Sequence, residues 1–253
     1  MSTASSDSLL GDVDAIEIKV TLDADQIEDA LVAFGFRSQT AHERQVWFCE
    51  HIVESGGSAT LPLLARGLIL RVRSTDGDGD STVKLRGPEG CMDPKAWRWR
   101  TREAGRKTKI EGDWAGTRRL VSASLDADID GQRLARVLRT QDRRLSPLFS
   151  RLQEDLLHEW LVPVDELVIL GPVMAQKWDS EDRGLDHRIA AETWQVDDRL
   201  RFLELSIRVE TAHADVAKRA LEDLVRDRGL ELPDQQQTKT QLVLQHLAAK
   251  LRR

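Results

Sequence analysis

The chain has 253 residues, 40% of them hydrophobic and 32% charged, with a formal net charge of −6. Its apolar runs, such as Gly67-Leu68-Ile69-Leu70, fall far short of the roughly 20 residues a helix needs to span a bilayer, which excludes a helical membrane protein. The acidic balance excludes nucleic-acid binding over the whole surface, and two cysteines without C-x-x-C spacing exclude a disulfide scaffold or structural zinc site and point to a reducing, cytoplasmic setting.

Residues 1–13, rich in Ser and Asp and without a secretory pattern, are expected to be a flexible N-terminus ahead of one domain over 14–253. The segment 15–20 alternates apolar and polar residues and predicts a strand. Asp23 or Asp25 then caps a helix carrying Ile27, Leu31 and Phe34 at helical spacing and ending near Gly35. Strands are predicted at 45–50, 68–73 and 82–86, the last two joined as a hairpin through the Asp-Gly pairs of 74–81. Residues 96–102 and 107–114 read as a further pair. Between 126 and 160, Leu134, Val137 and Leu138, then Leu148, Leu152, Leu156 and Leu157, predict two amphipathic helices interrupted near Pro147. Strands follow at 165–170, 172–178, 187–194 and 202–210. A helix is predicted over 212–228, with Val216, Ala220, Leu224 and Val225 on one face and Gly229 as its cap. The segment 240–251 is expected to begin as strand and finish as helix. The pattern is α+β, dominated by antiparallel strands with segregated helices.

Strand alternation places charged residues opposite each apolar stripe. Glu17 and Lys19 oppose Ile16, Ile18 and Val20; Arg71 and Arg73 oppose Leu70 and Val72; Lys84 opposes Val83 and Leu85. Lys109, Glu111 and Asp113 oppose Ile110, Glu192 opposes Ala191, and Glu204, Ser206 and Arg208 oppose Leu205 and Ile207. On one strand this is an ordinary solvated face. On six strands it is the mixture a polyphosphate site needs, with Arg and Lys to neutralise phosphates and carboxylates to hold a divalent cation.

In order and spacing these segments resemble the CYTH domain, or triphosphate tunnel metalloenzyme, family. The opening Glu-x-Glu-x-Lys is matched by Ala15-x-Glu17-x-Lys19, and the aromatic pair with an acid by Trp47-Phe48-Cys49-Glu50. Arg71-x-Arg73, Thr82-x-Lys84, Lys109-x-Glu111-x-Asp113, Lys177-Trp178, Glu192, Glu204-x-Ser206 and Lys239 match the later landmarks, with Ala175 where the family arginine is expected. The resemblance covers roughly 15–245 and implies a closed antiparallel β-barrel with peripheral helices and a charged tunnel. The helical segment near 126–160 leans towards the triphosphatase branch.

The resemblance implies a metal-dependent inorganic triphosphatase. Lys19, Arg71, Arg73, Lys84, Lys109, Lys177 and Lys239 would bind inorganic triphosphate, polyphosphate or a nucleoside triphosphate. Glu17, Glu111, Asp113, Glu192 and Glu204 would hold Mg²⁺ or Mn²⁺, with Glu17, Glu111 and Glu204 serving catalysis. Both Glu-x-Glu pairs have lost a member, to Ala15 and Ser206, which thins the metal site more than the basic clamp. The alternatives are therefore a non-catalytic polyphosphate or nucleotide-triphosphate binding module and a class IV adenylate cyclase-like activity. RNA binding through the cluster from Lys95 to Lys109, with Trp97 and Trp99 interleaved among arginines, is a third reading. Asp76-x-Asp78-x-Asp80 reads as a turn, since Ser81 and Gly87 stand where a calcium loop needs Gly and Glu. Gly105-Arg106-Lys107-Thr108 lacks the upstream glycine of a P-loop.

Overall fold

The computed structural model describes residues 13–55, 58–87, 108–140, 144–179, 184–233 and 239–251. Nine strands close into a barrel: β1 (Ala15–Asp23), β2 (His42–Glu50), β5 (Leu68–Thr75), β6 (Asp78–Gly87), β7 (Lys109–Ala115), β8 (Arg118–Ile129), β9 (Val168–Asp179), β10 (Ala190–Gln195) and β11 (Arg201–Val209). Around the ring they run β1-β11-β10-β9-β2-β5-β6-β8-β7. The short strands β3 (Val53–Ser55) and β4 (Ser58–Thr60) pair separately. Directions can alternate all the way round a ring only when the strand number is even. Nine strands therefore force one parallel seam, which falls between β1 and β7. The barrel is thus mixed, not wholly antiparallel as expected. Asp14 prepares the seam: its backbone N–H donates to the Ile110 carbonyl at 2.7 Å and its carboxylate accepts from the Ile110 N–H at 2.8 Å.

The apolar stripes face outward, under helices, and the polar stripes face the lumen. Ile16, Ile18, Val20 and Leu22 of β1 join Leu203, Leu205 and Ile207 of β11 beneath α1 (Ile27–Ala33) and α5 (Ala214–Asp227). Leu70, Val72, Val83, Leu85 and Leu125 pack against Leu134 and Val137 of α3 (Gly131–Thr140) and Leu156 and Leu157 of α4 (Arg151–Glu159). Each such side chain contributes about 1.5–3 kcal/mol through burial. Gln153 fastens α4 to the barrel. It completes a capping box with Ser150, and its amide donates to the carbonyls of Ser81 (3.1 Å) and Leu125 (2.9 Å).

Two further helices pack beside one another against the barrel. The short α2 (Pro62–Ala65) is held by Glu50, whose buried carboxylate accepts from the N–H groups of His51, Leu63 and Leu64 at 2.8–3.0 Å. The acid that completes the aromatic landmark is thus a structural cap rather than a lumen group. The C-terminal helix α6 (Lys239–Lys250) inserts Val243, Leu244 and Leu247 among Phe48, Ile69, Leu170, Trp194 and Phe202, an apolar plug inside the barrel.

Several boundaries differ from expectation. Residues 126–129 belong to β8, because Asp126 and Asp128 pair with Thr82 and Asp80 before Gly131 opens α3. The strands expected at 165–170 and 172–178 are one strand, β9; the gap expected at residue 171 is a register shift opposite Trp47, the kind of irregularity where sheets accommodate a proline such as Pro172. The whole of 239–250 is helix. On α5 the buried stripe is Ala214, Ala217, Leu221 and Val225, while Val216 is exposed: small alanines, not the larger valine, fit closest to the sheet. The hairpin turn is tighter than predicted, two residues, with both Asp76 (φ 52°) and Gly77 (φ 96°) left-handed. Val13, expected in the flexible N-terminus, packs against the core. The strand over 96–102, the Trp-Arg cluster and Cys91 lie outside the described residues. Residues 109–115 instead pair with β8 and β1.

Candidate functional site

The lumen holds a cavity of about 340 Å³ lined by ten basic side chains and five carboxylates. Of the residues singled out in sequence, Glu17, Lys19, Arg71, Arg73, Lys84, Lys109, Glu111, Lys177, Glu192, Glu204 and Lys239 all line it. Strand register explains the convergence. Glu17, Lys19 and Thr21 lie directly opposite Arg208, Ser206 and Glu204, and Glu204 lies opposite Glu192, which lies opposite Lys177. Directly paired residues share a face, so one polar stripe continues around the ring. Lys109 and Lys177 sit towards the rim, paired with Asp126 and Asp179 at 3.1 and 2.9 Å.

Asp113, the register partner of Glu17, shares this face but is buried beneath the lysines rather than exposed to the cavity. Its carboxylate accepts from Lys19 at 2.5 Å and Ser122 at 3.1 Å and pairs with Lys84 at 2.9 Å. Burial alone would raise its pKa; Lys19, Lys84 and Arg86 outweigh that and hold it well below the carboxylate range. Lys19 reaches Glu17 at 2.8 Å as well. Burial would lower the Lys19 pKa, but Asp113, Glu17 and Glu204 hold it well above the ordinary lysine value.

A second lysine repeats the arrangement. Lys239, at the start of α6, pairs with both Glu192 and Glu204, the latter at 2.9 Å, and lies over the Trp194 ring at 4.6 Å. Burial is again outweighed, so Lys239 is raised and Glu192 depressed. Arg44 adds a contact to Glu192 at 3.2 Å, and Arg208 pairs with Glu111 at 2.6 Å.

The opposite side differs. Arg73 pairs with Asp80 at 2.8 Å, but Arg71 donates only to the Thr82 hydroxyl, at 2.9 Å, and has no carboxylate salt bridge among the described residues. The Nε donors of Arg44 and Arg71 are buried without a hydrogen-bond partner among the described residues. Burial, reinforced by Arg73, lowers the Arg71 pKa; burial also lowers that of Lys84, with Asp113 only partly offsetting it.

Sequence reasoning passed over Arg44, Arg86 and Asp126 as site residues. Arg44 lies just ahead of the strand expected at 45–50. Its register partner is Ala175, so a guanidinium from the neighbouring strand stands beside the place where one was expected on β9. Arg86 continues the Lys84 stripe by two residues, a signal that alternation alone could have supplied. Asp126 was assigned to a helical segment.

Mg²⁺ is ordinarily held by one or two carboxylates together with substrate phosphates and water, and other hard cations need more oxygens still. Among the described residues no three His, Cys, Asp or Glu side chains come together as a metal cage. Each of Glu17, Glu111, Asp113, Glu192 and Glu204 is engaged by a lysine or arginine. Ala15 and Ser206 supply no further carboxylate beside Glu111 and Lys19, their register partners. So arranged, the described residues form no cage that would hold Mg²⁺ or Mn²⁺ by protein ligands alone.

No protein-family model and no curated protein matches the chain. Among solved structures it is similar to a protein from Hippeastrum described as a candidate adenylyl cyclase with a dominant triphosphatase activity, at 16% identity and a TM-score of 0.62, over 92% of this chain and 96% of that one. It is also similar to a candidate adenylate cyclase from Bacillus halodurans, at 10% identity and a TM-score of 0.59, over 90% and 96%. At such identities the likeness is one of fold: a closed nine-stranded barrel with peripheral helices, as the CYTH resemblance implies. Among the described residues no helix is long and apolar enough to cross a membrane.

Proposed function

We propose that the protein binds the triphosphate group of an inorganic or nucleoside triphosphate in the barrel lumen. The observation that carries this reading is Arg71: a largely desolvated guanidinium with no carboxylate salt bridge and an Nε without a hydrogen-bond partner among the described residues, beside Arg73 and Lys84 on the cavity wall. Asp80, Asp126 and Glu192 offset its burial only in part, and a bound anion is the partner that completes it. Several charge-assisted contacts, each worth about 1.5–3 kcal/mol, then act on one phosphate chain. A cavity near 340 Å³ suits a small ligand, and its lining is too charged for an apolar one.

Of the readings open from sequence, the engaged carboxylates favour the binding module over the metal-dependent hydrolase. The triphosphatase activity ascribed to the Hippeastrum protein supports triphosphate as the ligand class. Calorimetry with tripolyphosphate and with ATP tests the proposal, with binding expected in the low micromolar to millimolar range. No heat with either ligand would refute it. Phosphate release from tripolyphosphate and pyrophosphate release from ATP, each with Mg²⁺ or Mn²⁺, are expected to stay near background; rapid turnover would establish the hydrolase or the cyclase reading instead.

A further inference from the structure

Two lysines of the lumen occupy places that the phosphate contacts alone do not explain. The Lys19 ammonium sits between Glu17 and Asp113, on adjacent strands that pair Glu17 directly with Asp113. The Lys239 ammonium sits between Glu192 and Glu204, also direct register partners. Each carboxylate pair is thus bridged by a side-chain cation on the protein itself. We propose that Lys19 and Lys239 are the lumen's resident cations and that the phosphate chain binds without a divalent metal; this rests on the lumen being the triphosphate site.

The physical argument is one of exchange. A metal entering either pair would have to displace a buried ammonium and leave it without its carboxylates, and breaking such a pair by removing one partner is strongly destabilising. Lys239 is further fixed over Trp194 and by its position at the start of α6, whose apolar residues are buried in the plug. An ammonium also does for a phosphate oxygen part of what a metal does, since it presents positive charge and donors with no carboxylate ligands to be freed. The phosphates then meet the lysines on one side and Arg44, Arg71 and Arg73 on the other.

The test is calorimetry of tripolyphosphate with the wild-type protein in EDTA and in excess Mg²⁺, together with a titration of MnCl₂ alone. Binding is expected to be as tight in EDTA as in Mg²⁺ or tighter, with no saturable Mn²⁺ site. Lys239→Ala, which opens Glu192 and Glu204, is expected to weaken binding in EDTA by about tenfold and to recover part of that loss in Mg²⁺, a rescue that a purely structural lysine would not show. Wild-type binding at least about tenfold tighter in Mg²⁺, with saturable Mn²⁺ uptake, overturns this inference and leaves the lumen as the triphosphate site. Absence of binding in both buffers overturns the site and the inference together.

Discussion

The two sides of the lumen are built from similar residues and differ in charge balance. On β7, β1, β11 and β10, lysines and carboxylates alternate and nearly every charge meets its opposite: Lys19 with Glu17 and Asp113, Lys239 with Glu192 and Glu204, Arg208 with Glu111. On β2, β5 and β6 the cations are less fully paired, and Arg71 donates to the Thr82 hydroxyl with no carboxylate salt bridge among the described residues. The lesson is that one stripe of charge serves two ends. The paired side is already satisfied and acts as internal framework. The other side leaves Arg71 short of a carboxylate salt bridge, and an arriving anion completes it, so its incomplete pairing in the free protein is the source of its affinity.

Mutations on the two sides should therefore act on different observables. The largest effect is expected from Lys19→Ala, which leaves Glu17 and one face of Asp113 buried without their ammonium. Chemical denaturation should show a loss of about 3 kcal/mol. An unchanged midpoint would mean that the paired side is not framework. Next in size, Arg71→Ala should weaken tripolyphosphate binding by about 2 kcal/mol, roughly 30-fold, while leaving stability unchanged or raised, because a guanidinium that the fold desolvates without a carboxylate salt bridge has been removed. Equal losses of stability from the two variants would erase the distinction between the sides.

The smallest effect is a pH dependence at Lys84, which stands between them. Its folded pKa is lowered, chiefly by burial, so the fold disfavours its charged form. In the free protein, stability should rise with pH between that lowered value and the ordinary one of about 10.4, because the unfolded chain binds more protons there. Bound phosphate favours charged Lys84, so affinity should fall with pH across the same window. Calorimetry from neutral to alkaline pH should show this decline, and Lys84→Arg should move it upward. A decline that ignores the substitution would assign it to another group.

Much of this was legible in the sequence because a strand's side chains alternate by covalent geometry. Ile16, Ile18 and Val20 against Glu17 and Lys19 already separate a buried face from a charged one, and the same rule holds for Arg71, Arg73, Lys84 and Glu204. Segments failed where a local signal had two meanings. The stretch around residue 171 reads as a gap between two strands but is one strand with a register shift. The segment from 126 read as helix because Leu134 and Val137 follow it closely, yet its first residues complete β8. The segment from 240 reads as the start of a strand, and only the apolar plug, drawn from five strands, shows why it is helical.

Which face of each strand is polar, and which residue types gather there, follows from the chain read locally, since alternation and charge are local properties. The sequence also carried the loss of carboxylates at Ala15 and Ser206. Which charges neutralise each other was decided only by the closed barrel. Register sets Glu17 against Asp113 and Glu192 against Glu204, closure brings Lys239 from the far end of the chain into reach, and an odd strand number imposes the β1–β7 seam. Pairing energy depends on distance and burial, which are fixed between strands rather than along them, and so the sequence named the charges while the tertiary structure decided which of them remain free for a ligand.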